Sequence, residues 1–235
     1  MTGKLAFVAT AGLVGAALFL AAGIGLAGPD WVNAGGSWIG GQSTCSAITS
    51  VRKEVTLPFS ANDSFTIALP ASVHYQPGDK AEAVVSGDST LIDHVRMEGS
   101  RLTLDCDTGW FSPRLDVSLS GPAISDWKLT GSGDLALSQI NQPKLRLSIR
   151  GSGSVAATGT AQTVDLEISG SGSGRLKNLI AQSAQIEIRG SGDAEVTAQA
   201  DADVSISGSG DVDLYGHPTM RRSEVRGSGS ITQVP

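Results

Sequence analysis

Residues 186–196 read IEIRGSGDAEV, an alternating strand with Gly-Ser-Gly set into its middle. Glycine inside a strand marks a bulge or a bend and admits positive φ. One such triplet decides nothing. This one recurs, beginning at Gly131, Gly151, Gly170, Gly190, Gly208 and Gly227, at intervals of 20, 19, 20, 18 and 19 residues. A fixed period of this length is the signature of a repeat architecture and outranks any local motif in deciding the fold.

The triplets lie within DWKLTGSGDL, RLSIRGSGSV, DLEISGSGSG, QIEIRGSGDA, DVSISGSGDV and RSEVRGSGSI. Two positions before each triplet stand Leu129, Ile149, Ile168, Ile188, Ile206 and Val225; four before stand Trp127, Leu147, Leu166, Ile186, Val204 and Ser223. Two positions after each last glycine stand Leu135, Val155, Gly174, Ala194, Val212 and Ile231. Period-two alternation puts these columns on one face. A single repeat cannot bury that face, but copies stacked about 4.8 Å apart in parallel register can. The expected fold is therefore all-β, a parallel β-solenoid (β-helix) with the triplet at a corner of each coil. Drift in the period and the lack of a hexapeptide pattern argue against a left-handed helix, and parallel crossovers favour the right-handed one. Residues 49–126 alternate in the same way without the triplet, as in SFTIALP, AEAVVSG, RLTLDC and RLDVSLSG.

The GSG spacing, the strands leading into each triplet and the closing LYGHPTMRRSEVRGSGSI resemble the bacterial "putative auto-transporter adhesin, head GIN domain" family. The resemblance covers about 49–235 and includes Tyr215-Gly216-x-Pro218 before the last triplet. It implies a β-solenoid envelope protein with a role in adhesion, and it carries over no catalytic residue.

The amino terminus points the same way. Residues 5–27, LAFVATAGLVGAALFLAAGIGLA, carry no charge, and Lys4 precedes them. As a helix this stretch is about 34 Å long, enough for a bilayer core of roughly 30 Å. It reads as a transmembrane anchor, with a cleaved signal segment as the rival, and Trp31 and Trp38 fall where interfacial aromatics sit. The organisation expected is an anchor or signal over 1–27, a Gly/Ser-rich spacer over 28–46 and a solenoid over 47–235, with the repeats in 127–235. The localisation that follows is the cell envelope: membrane-anchored with an exported domain, or secreted or periplasmic after cleavage. In an oxidising compartment Cys45 and Cys106 are disulfide candidates. Closing a loop of about 62 residues would stabilise by roughly 4 kcal/mol in the chain-entropy view.

Function would lie on the outward columns. Immediately before the triplets stand Thr130, Arg150, Ser169, Arg189, Ser207 and Arg226; three before stand Lys128, Ser148, Glu167, Glu187, Ser205 and Glu224. Arginines on alternate rungs stay about 10 Å apart. Arg150, Arg189, Arg226, Glu167, Glu187 and Glu224 read as a solvated, charge-balanced face, with ligand binding the sharper alternative. Asp193 and Asp211, each just after a triplet, should be neighbours on successive rungs and are weak cation candidates. His74, His94 and His217 show no ligand spacing in sequence, and no catalytic residue, cofactor or metal site is expected.

A net charge of −6 without a basic stripe excludes nucleic acid as the natural partner. The expected partners are the membrane through the amino-terminal segment, and a glycan or an envelope protein. The carboxyl-terminal rung ends near an open sheet edge, a place for self-association unless Pro235 and the tail blunt it. The reading is a non-enzymatic adhesin-like binding module. A carbohydrate-active β-helix enzyme and a self-assembling structural scaffold are the alternatives. Short corners and small residues predict no obvious groove.

Overall fold

The computed structural model describes Cys45 and residues 51–60, 62–107 and 115–234. The segments expected as an anchor over 1–27 and, apart from Cys45, as a spacer over 28–46 lie outside the described residues. Among the described residues no helix is long and apolar enough to cross a membrane. All of them belong to one compact unit, 43–235.

That unit is all-β, a solenoid of about five turns with almost no helix. Four long strands form its body: β9 (Asp134–Gly151), β10 (Ser154–Gly170), β11 (Ser173–Gly190) and β12 (Asp193–Gly208). Each begins just after one triplet and ends on the first glycine of the next. It bends midway, so that one coil contributes to both faces of the stack. The last coil is divided into β13 (Asp211–Tyr215) and β14 (Thr219–Gly227), and β15 (Ser230–Val234) ends the chain's path. Pairing is parallel throughout this body: Ile149 pairs with Ile168, Ile168 with Ile188, Ile188 with Ile206, and Ile206 with Val225. The inward columns Leu147, Leu166, Ile186 and Val204 are buried, as are Leu135, Val155, Ala194 and Val212. Gly174, the exception in the last column, has a partner in shape: a Cβ there would stand 2.7 Å from Leu166 Cδ2, so Leu166 fills the missing volume.

The triplet's chemistry is explicit at Gly190. Its φ is +130°, and a Cβ would lie 2.3 Å from the carbonyl oxygen of Gly170 on the rung before. Both the dihedral and the close stacking demand glycine. The serine contributes through its main chain: Ser191 N–H donates to Gly170 O at 2.9 Å and Ser209 N–H to Gly190 O at 2.8 Å. Each corner thus hangs on the corner above it.

A coil without the triplet precedes those that carry it. Strands β2 (Ser64–Ala68) and β3 (Ser72–Pro77) pair in parallel with β8 (Asp126–Gly131) and β9. Phe65 pairs with Trp127, 62 positions on, whereas Trp127 pairs with Leu147, 20 positions on. The excess is an insertion after β3. It forms β4 (Glu82–Asp88), a single helical turn α1 (Ser89–Ile92), β5 (Val95–Glu98), β6 (Arg101–Leu104) and β7 (Asp116–Gly121). Here the fully parallel expectation for 47–235 is corrected. Strand β4 pairs antiparallel with β7 and with β1 (Arg52–Pro58), and β5 with β6 across a short turn, while β6 and β7 keep the parallel order beside β2 and β3. Phe59, Phe65, Tyr75 and Trp127 pack as one aromatic chain at this end, with ring centroids 4.8–5.5 Å apart. Trp127 Nε1 donates to Ile124 O, and the Tyr75 hydroxyl to Pro122 O.

Candidate binding faces

The sheet face leading into the triplets carries the charged columns. Arg150, Ser169, Arg189, Ser207 and Arg226 align in register, as do Ser148, Glu167, Glu187, Ser205 and Glu224. Arg189 spans two rungs, reaching Glu167 at 2.9 Å and Glu187 at 2.5 Å. Arg222 and Arg226 both contact Glu224. The hydrogen bond from Arg222, then the charge of Arg226, holds the Glu224 carboxyl below the usual range. Ser148, expected on the exposed column, is buried, being short and flanked in register by the longer Lys128 and Glu167. This face is internally neutralised, and exposed pairs of this kind typically contribute about 0–1 kcal/mol.

After the triplets the face is acidic. Asp193 and Asp211 are neighbours on successive rungs, and each is engaged by the next coil. Asp211 N–H donates to Asp193 Oδ1 at 2.9 Å, and Ser230 N–H to Asp211 Oδ1 at 2.8 Å. These carboxylates stand in for the glycine carbonyl that accepts from Ser173 and Asp193 higher in the stack. With Glu195, Asp213 and Arg175 they line an open depression of about 420 Å³. Their visible work is to hold successive corners together.

The β5–β6 hairpin gathers residues whose proximity the sequence conceals. His94 Nδ1 lies 2.6 Å from Asp105 Oδ1, and Arg96 Nη2 lies 2.6 Å from Asp105 Oδ2. The His94 hydrogen bond, with the charge of Arg96 behind it, lowers the Asp105 pKa. His94, Asp105 and Cys106 each bring a ligand-type atom within 4.8 Å of the others. Spacing in sequence does not reveal this proximity, because antiparallel pairing folds position 94 onto 105–106. The Cys106 sulfur is, however, bonded to Cys45, which also donates its N–H to Asp107 O at 2.9 Å. In this state the sulfur is no thiolate ligand.

Two further hollows correct the expectation of a grooveless surface. One, about 300 Å³, lies on the outer face of β3, β4 and β7, bordered by His74, Gln76, Glu82, Ser118 and Ser138. The other, about 530 Å³, runs along the bend midway through β9–β12, between Pro143, Thr160, Gln162, Ile180, Gln182 and Gln199. The sequence signal was there in the uncharged Asn, Gln and Thr residues at the middle of each repeat, but only the bend shows that they share a groove.

A family model described as "Putative auto-transporter adhesin, head GIN domain" matches residues 63–218. The chain belongs to this family. The match opens at the first coil and closes at Pro218, so β1, β14 and β15 lie outside the head GIN span, whereas the resemblance read from sequence ran over 49–235. Among solved structures, a "putative adhesin" from Bacteroides fragilis NCTC 9343 superposes with TM-score 0.60 at 18% identity, covering 78% of this chain and 97% of that one. A "putative lipid binding protein" from Parabacteroides distasonis ATCC 8503 gives 0.49 at 20% identity over 80% and 98% of the two chains. The first of these likenesses establishes a shared fold. No curated protein sequence matches the chain.

Proposed function

We propose that this head GIN protein is a non-enzymatic contact module of the cell envelope, held by its apolar amino-terminal segment with the solenoid exported. The observation that carries this reading is the register. Coil after coil places equivalent side chains one strand spacing apart on rigid sheets, which suits recognition of an extended or repetitive surface. The family description and the B. fragilis structure, itself described as an adhesin, support adhesion as the form of contact. The Cys45–Cys106 bond fits an oxidising compartment. We infer a right-handed coil from the general preference of parallel crossovers.

Protease shaving of intact cells carrying a carboxyl-terminal tag, with permeabilised cells as control, tests the placement. Loss of the tag from intact cells is expected. Protection until permeabilisation would remove the adhesin reading and leave an internal envelope scaffold.

A further inference from the structure

We propose that the groove along the mid-coil bend binds an extended, neutral polysaccharide, one sugar per rung. The inference rests on the contact reading above and gives it a site and a ligand class.

Three observations converge there. The first is charge. The two sheet faces carry Arg189, Glu187 and Glu224 on one side and Asp193, Glu195 and Asp211 on the other, yet the groove between Asn141 and Gln199 is lined by amides, a hydroxyl and apolar groups alone. A strip without charge neither attracts nor repels ions. It selects ligands that offer hydroxyls.

The second is hydrogen-bonding capacity. Gln182 Nε2 donates to Gln199 Oε1 at 2.8 Å across adjacent coils, which leaves the Gln182 carbonyl to accept and the Gln199 amide to donate. Thr160 Oγ1 lies 3.4 Å from Asn141 Oδ1, leaving that amide's nitrogen with both its protons. Paired donors and acceptors of this kind fit the adjacent hydroxyls of a pyranose. Gln142 spends its own amide inside the bend, on Ile124 O and Lys144 O, and so fixes the groove's shape.

The third is Ile180. It is 44% exposed in the middle of the body, between Thr160 and Thr197 in register, where neither end of the stack explains the exposure. An aliphatic side chain there offers a platform for the C–H face of a sugar ring. Rungs repeat at about 4.8 Å, close to the advance per sugar of an extended β-linked glycan, so each coil meets an equivalent part of the polymer.

The test is calorimetric titration of the full chain, in a polyoxyethylene detergent, with cellohexaose, chitohexaose and hexagalacturonate. Binding of a neutral hexaose is expected, lost by about tenfold or more in the Gln182→Ala/Gln199→Ala double variant. Ile180→Ala should weaken it as well, while Glu224→Gln, on another face, leaves it unchanged. Ile180, Gln182 and Gln199 are exposed and Glu224 partly so, and thermal unfolding of each variant should match the parent. Absence of binding to either neutral hexaose, preference for hexagalacturonate, or indifference to the glutamine substitutions would each overturn the proposal. So would a groove-dependent dimer in sedimentation, which would make the occupant a second copy. Adhesion assays separate the two levels. Cells that adhere through this chain to protein-coated but not glucan-coated surfaces would refute the groove and keep the contact reading. Cells whose adhesion ignores the chain altogether would refute that reading.

Discussion

The two ends of the solenoid are closed by different means. At the amino-terminal end an insertion lays β6 and β7 parallel beside β2 and β3 and adds β4 and β5 antiparallel to them, and four aromatic rings and a disulfide seal the first coils. At the carboxyl-terminal end no strand follows β14 and β15 among the described residues. There the inward columns change character instead. Ser223 stands below Val204, and Gln233 stands below Leu214 and donates to Pro218 O at 3.0 Å. Arg221, Arg222 and Arg226 charge the edge, a recognised way of discouraging further strand addition. A stack of coils can thus be finished by covering its core or by letting the core run out. Stability should reside in the body and the covered end.

The sharpest way to break that picture is at the corners. Gly190→Ala brings a positive φ and a Cβ 2.3 Å from Gly170 O together, and neither backbone can yield without disturbing the rungs beside it. A loss above about 4 kcal/mol is expected in chemical denaturation, amounting to failure to fold if the domain is marginal. Gly131→Ala is the control. Its φ is +101°, but nothing lies within 4 Å of the added Cβ, so only the strain of about 1–2 kcal/mol remains. Equal losses at the two sites would refute the stacking argument.

At the covered end, Trp127→Ala removes the ring that joins Phe65 to Tyr75 and should cost about 3–5 kcal/mol. Cys106→Ser opens the link to Cys45 and should cost about 2–4 kcal/mol in an equilibrium melt, less than the ring because the loop it closes is already held by β-pairing.

Much of this was legible because the repeat is strict where stacking is strict. The triplet glycines, the inward columns and the alternation of Arg150, Arg189 and Arg226 all follow from identical coils meeting their own copies. What escaped is what departs from copying. In the first coil Leu69-Pro70-Ala71 occupies the triplet's place, as the pairing of Ile67 with Leu129 and of Ser72 with Asp134 shows. The insertion after it then stretches the period beyond recognition. The His94–Asp105–Cys106 cluster depends on a hairpin register that alternation alone does not set. The glutamine groove escaped for another reason: its residues are plain surface types until the bend brings them side by side.

The carboxyl-terminal end gives a smaller effect in stability but a clear one in association. Ser223→Val with Gln233→Val would extend the apolar columns to the open edge beside Val225, already 39% exposed. Stability should change by less than about 1 kcal/mol, since surface substitutions there touch little. The variant should nonetheless show concentration-dependent mass in sedimentation where the parent does not. An unchanged monomer would mean that charge, and not the polarity of the inward columns, protects the edge; a parent that already associates would restore self-assembly through this rung.

The least costly change isolates the charge itself. Glu224 is partly exposed, and the Arg222 hydrogen bond, followed by the Arg226 charge, depresses its pKa. A depressed carboxyl favours the folded state at every pH above its unfolded pKa, and loses that contribution as pH falls through the folded value. Screening by solvent makes the energy too small to appear in a melt. The titration itself will show it: the Glu224 carboxyl carbon, followed by NMR, should have its midpoint below that of a free glutamate. Arg222→Ala should return most of the difference, and Arg226→Ala less, because the hydrogen bond outweighs the second charge. Added salt should narrow the gap further. If Glu224 titrates like a free side chain in the parent, the arginines do not hold it in solution, and the polar columns alone must finish this end of the stack.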